Sequence, residues 1–102
     1  MQLKSTIALS ENALLDAKTA NLRYVSDRTL EITREHRGSI FRYRDPEDAV
    51  IRNRGELERI GKIAVPPAWT HVWICPDARG HIQATGRDAR GRKQYRYHTR
   101  CL

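Results

Sequence analysis

Gly86-Arg-Asp-Ala-Arg-Gly-Arg-Lys-Gln-Tyr-Arg-Tyr-His98 interleaves guanidinium and ammonium groups with two phenol rings and one carboxamide. Cations at this density neutralise phosphates, aromatic rings stack on bases, and a carboxamide offers both a hydrogen-bond donor and an acceptor. Between Arg79 and Arg100 there are seven cations and one anion, Asp88, so +6 of the chain's net charge of +7 is concentrated in its last fifth. So much like charge in so short a stretch repels itself unless it meets an anion, and a pI near 10.0 points the same way. The candidate contact residues are Arg87, Arg90, Arg92, Lys93, Gln94, Tyr95, Arg96 and Tyr97. A solvated basic face is the plainer alternative, and Tyr95 and Tyr97 fit a half-buried sheet position as well as a contact role.

Other chemistries find little support. The four histidines (His36, His71, His81, His98) are scattered, and Cys75 and Cys101 lack metal-site spacing. Asp45, Glu47 and Asp48 suit a turn better than a calcium loop, because the later ligand positions fail. No nucleophile–base pair stands out, so neither a catalytic residue nor a metal or cofactor is expected. The glycines at 86 and 91 have the wrong spacing for a dinucleotide fingerprint, and no helix follows them. No apolar run approaches the roughly 20 residues that a spanning helix needs. The N-terminus is too short in its apolar part for a signal peptide. A cytoplasmic, nucleoid-associated location follows as the expectation, with Cys75 a small buried hydrophobe and no structural disulfide.

A chain of 102 residues is one domain with one modest core. Residues 1–20 read as a tail and a short capped helix after Ser10, and residues 21–100 as the folded domain. Leu22–Ser26 alternates and is expected to be a strand, followed by a turn at Ser26–Thr29. Ile32–Arg37 suits a short strand. Residues 39–51 should form a hairpin around Asp45-Pro46-Glu47-Asp48. Asn53 and Glu56 have capping-box spacing ahead of a helical stripe at Leu57, Ile60 and Ile63, ended by Pro66-Pro67. Trp69 and Trp73 are core candidates. Strands at Thr70–Cys75, His81–Thr85 and Arg92–His98 form an antiparallel meander, with a turn at Pro76–Gly80 and a loop at Gly86–Gly91. The expected class is α+β. In the last strand, alternation puts Lys93, Tyr95 and Tyr97 on one face and Arg92, Gln94, Arg96 and His98 on the other.

Several stretches together resemble a known family: Leu22-Arg-Tyr-Val-Ser-Asp27, Ile63-Ala-Val-Pro-Pro-Ala-Trp-Thr70, Val72-Trp-Ile-Cys-Pro76, Gly80-His-Ile-Gln-Ala-Thr-Gly86 and Arg87–His98. They are similar to the N-terminal domain of type IB DNA topoisomerases, the small bacterial enzymes of poxvirus type. The resemblance runs from Leu22 to His98 and is densest over 63–98. It implies a five-stranded antiparallel sheet with two short accessory helices, forming half of a C-shaped clamp on the major groove. Gln94, Tyr95 and Tyr97 stand at the family's groove-contact positions, and a bulge near Gln94 would bring Gln94 and Tyr95 to one side. The family relaxes supercoils by nicking one strand through a tyrosine, leaving a 3′-phosphotyrosine, and reseals it without ATP. That tyrosine belongs to a larger C-terminal helical domain, and the present chain stops at Leu102. The resemblance therefore implies a monomer that binds duplex DNA beside a catalytic domain of the same protein but does not itself cleave. An RNA-binding sheet and a domain docking an acidic protein are the alternatives.

Overall fold

The computed structural model describes residues 21–100. The helix expected after Ser10, and Cys101, lie outside them. Five strands and one helix follow in the order β1 (Thr33–Arg37), β2 (Ile40–Arg44), α1 (Arg54–Ile63), β3 (Thr70–Ile74), β4 (Ile82–Arg87) and β5 (Lys93–Tyr97). Mixed α and β content is as expected, but the single five-stranded sheet is not. The strands divide into an antiparallel pair, β1-β2, and an antiparallel meander, β3-β4-β5. Among the described residues one backbone bridge joins the two sheets, at which Ile32 and Ile74 exchange hydrogen bonds of 2.8 and 3.2 Å.

Both isoleucines of that bridge are buried, and with Ile60, Ile63 and Ala84 they make the core. Tyr43, Ile51, Val65 and Val72 fringe it. Helix α1 supplies Ile60 and Ile63 from one stripe. Asn53 caps it by accepting the Glu56 N–H at 2.9 Å, as its sequence position predicts. The helix ends one step ahead of the prolines, with Ala64 in the left-handed region (φ 58°) and its N–H on the Gly61 carbonyl.

One local expectation is overturned and a second holds only in part. Leu22–Ser26 is not a strand; it makes one parallel bridge, Arg23 to Gly80, and lies as a strap against the corner at His81. The hairpin over 39–51 pairs mostly in the other direction. β2 joins β1 across Gly38-Ser39, from Arg37↔Ile40 to Thr33↔Arg44. The Asp45 turn does form, its carboxylate accepting from the Glu47 and Ala49 amides at 2.9 Å each. Its return limb has only one bridge, Arg44↔Val50, because Asn53 opens the helix before a strand can extend.

A half-buried guanidinium ties the sheets to the helix exit. Arg34 donates to the carbonyls of Val65, Pro66 and Trp69 at 3.3, 3.2 and 2.9 Å and stacks over Phe41. This holds Trp69 across β4 at Gly86, where a Cβ would approach the indole to 2.7 Å. Only glycine admits that approach. Trp73 and Cys75 are buried, as their sequence context predicts.

Candidate nucleic-acid interface

The eight sequence-predicted contact residues fall on the β4–β5 hairpin and are brought together by it. Its tip is built on Asp88. The Asp88 N–H donates to the Arg92 carbonyl at 2.9 Å, and the Gly91 N–H to the Asp88 carbonyl at 2.9 Å. Gly91 takes φ 78°, which a side chain would strain. The Asp88 carboxylate accepts four further bonds: Arg90 N (2.9 Å) and Arg92 N (3.0 Å) on Oδ1, Arg92 Nε (2.9 Å) and Gln94 Nε2 (2.9 Å) on Oδ2. The Gln94 hydrogen bond, followed by the backbone and Arg92 donors, holds its pKa down to about 2. Asp and Gly at the ends of a four-residue turn are visible in sequence; the reach of Asp88 to Gln94 is not.

Lys93 is held from elsewhere. Its Nζ lies 2.5 Å from Asp27 Oδ2, which also accepts from the Thr85 hydroxyl at 3.0 Å. Burial pushes the Asp27 carboxyl up, but the Lys93 and Thr85 hydrogen bonds outweigh it and leave the group below its ordinary value. Asp27 comes from the strap, 66 positions before Lys93, so no local pattern announces the pair. Arg96 donates from Nε to the Ile63 carbonyl at 2.9 Å and so braces the end of α1. Three of the cations that sequence reasoning leaves uncompensated thus have protein partners. Among the described residues, no ion pair engages Arg87, Arg90 or Arg100, and Arg87 and Arg90 project at the hairpin tip.

Tyr95 and Tyr97 are not core residues. They are 44% and 49% exposed, and their rings stack at 5.9 Å and 15°. Lys93 Nζ stands 5.5 Å from the Tyr95 centroid. The register Thr85↔Tyr95, Gly86↔Gln94, Arg87↔Lys93 runs without a break, so there is no bulge near Gln94. The irregularity lies on β4 between Ile82 and Ala84, where Gln83 has no partner on β5. Its side chain instead accepts from Arg59 at 2.7 Å and donates to the carbonyls of Asp77 and Gly80. Gln94 and Tyr95 therefore stay on opposite faces. They still flank one feature, the outer edge of β5, where a ligand laid along the strand reaches both.

Sequence reasoning misses His81. It is buried, it stacks on Tyr24 at 4.4 Å and 12°, and its Nδ1 accepts the Val25 N–H at 3.0 Å. It pins the strap that carries Asp27. Among the described residues no group of three or more His, Cys, Asp or Glu side chains converges to hold a metal.

The chain is thus a small mixed α/β domain with one cationic, tyrosine-bearing hairpin. Residues 40–88 match the family model described as bacterial DNA topoisomerase IB, N-terminal domain. A DNA topoisomerase 1B of Acanthamoeba polyphaga mimivirus is 47% identical over 68 residues, covering 65% of this chain and 20% of that protein. The resemblance to the N-terminal domain of type IB DNA topoisomerases is thus borne out. The chain spans about a fifth of the relative's length. The family match ends at Asp88 and does not include β5.

Proposed function

We propose that this chain is the DNA-gripping part of a type IB topoisomerase, an isomerase that relaxes supercoils by nicking and resealing one strand. The observation that carries this is the β5 edge, where Lys93 and Arg96, two exposed tyrosines and Gln94 lie along one edge strand, with Arg92 just ahead of it and the Arg87 and Arg90 tip beside it. The cations neutralise phosphates on either side of a groove while Gln94 and the rings approach base edges. Strand cleavage through a tyrosine belongs to a catalytic domain of the parent protein, and these 102 residues bind without cutting. The isolated domain binds weakly, because a clamp gains avidity from its second half.

The decisive measurement is duplex binding against salt for the parent chain and for a variant with Arg92, Lys93 and Arg96 changed to Ala. The log–log slope should fall by roughly 0.9 for each phosphate no longer neutralised, so by about two to three units in total. Equal affinity and slope in the two proteins would make the cluster ordinary surface. Preference for single-stranded RNA over duplex DNA in competition would transfer the role to RNA. No affinity for either at low salt would favour an acidic protein partner.

A further inference from the structure

We propose that Asp88 is a specificity-determining positioning residue: it fixes which end of the Gln94 carboxamide faces the ligand. The inference rests on Gln94 being a base-contacting residue, and it concerns a property that neither composition nor strand alternation contains.

A carboxylate can only accept hydrogen bonds, so the Gln94 atom that lies 2.9 Å from Asp88 Oδ2 must be the NH2 nitrogen. The amide is not free to turn over, since turning would set two oxygens against each other. Its nitrogen is directed towards the hairpin tip, and the carbonyl oxygen Oε1 is left as the group presented away from Asp88. The carboxylate is itself immobile. Both its oxygens are occupied, by two backbone amides and by Arg92 as well as by Gln94, and its side chain is only 17% exposed. A hinged tip would blur the orientation, but Gly91 and the Asp88–Arg92 backbone bond close the turn.

An outward carbonyl selects a donor. In the major groove the donors are the exocyclic amino groups of adenine and cytosine, while guanine and thymine present acceptors at the corresponding positions. The chain should therefore favour an amino-bearing base at the position Gln94 reaches. Asp88 touches no ligand; it acts through the amide it orients.

Asp88→Asn separates this role from the turn. The carboxamide oxygen of the substituted side chain can still accept the Arg90 and Arg92 amides, but its NH2 now faces Gln94, whose own carboxamide must reverse, and Arg92 Nε, whose hydrogen bond and ion pair are lost. Binding of a short duplex pool, randomised along its length, is measured for the parent chain, Asp88→Asn, Gln94→Ala and the double variant. The parent should prefer an amino-bearing base at one position by roughly fivefold or more. Asp88→Asn should lose or invert that preference and should alter no base preference in the Gln94→Ala background, where the lost anion and the released Arg92 shift affinity equally for every sequence. A base preference that Asp88→Asn leaves intact, whatever happens to overall affinity, or the same change of preference in both backgrounds, overturns the proposal. Asp88→Asn combined with Gln94→Glu supplies a further test: the substituted amide donates to one Glu oxygen and leaves the other outward, so the amino-base preference returns if the outward group of the parent is the carbonyl, and stays lost if it was the NH2. If the salt-dependent duplex binding of β5 persists while preference ignores both substitutions, the positioning role fails and the DNA-gripping function stands. If binding itself ignores the β5 cations, that function fails first.

Discussion

At the scale of single residues, His81 shows how a buried ring sets a pH limit on the whole assembly. The Val25 amide can only donate, so the Nδ1 it faces is unprotonated, although the Arg23 carbonyl lies 3.3 Å from the same nitrogen. Burial lowers the His81 pKa below its ordinary 6.5, outweighing the opposite pull of the Arg23 carbonyl. The unfolded chain then binds the proton more readily than the folded one. Stability is fully present above pH 6.5 and is lost as pH falls through the lower folded value. The melting temperature should drop between neutral pH and about pH 5, and His81→Asn should flatten that dependence; an unchanged slope in the variant would assign it to other groups. Nothing in the sequence singles out His81 among four histidines, since its burial depends on the strap 56 residues away.

Among the elements, legibility follows the range of the interaction. The Asn53 cap, the Asp45 turn and the Asp88–Gly91 turn are readable because each is completed within about five residues. Removing the cap by Asn53→Ala should cost about 1 kcal/mol. That is a fall of roughly 4–8 °C in the melting temperature, and Asn53→Asp should restore most of it. Strand alternation correctly separates Lys93, Tyr95 and Tyr97 from Gln94, but alternation says which side chains share a face and not which strand lies alongside. Hence β2, expected to pair forward across Asp45, meets that limb only at Val50 and Ile51 and pairs along its length back across Gly38 with β1. The division into two sheets is likewise hidden. It depends on a single junction, Ile32 with Ile74, which two ordinary isoleucines do not advertise. The tyrosines, ambiguous in sequence, are exposed because the core, filled by five aliphatic residues and their fringe, leaves them outside.

For the whole molecule, lopsided charge is the most legible property, because a sum over residues needs no knowledge of the fold. Its internal balancing is not: Asp27 meets Lys93 from a distant strap, and Arg96 commits one donor to α1. What survives as uncompensated potential sits at the Arg87 and Arg90 tip, beside a strand that closes one side of a three-stranded sheet. Such a margin exposes backbone groups in the pattern that another chain's strand would complete. Lysine and arginine side chains along it make the approach of a second molecule of the same kind repulsive. The cations that draw in a polyanion therefore also act as gatekeepers against fibril-like stacking. Stripping Arg92, Lys93 and Arg96 should raise light scattering at high protein concentration, while Asp45→Ala, a change of charge remote from β5, should leave it flat.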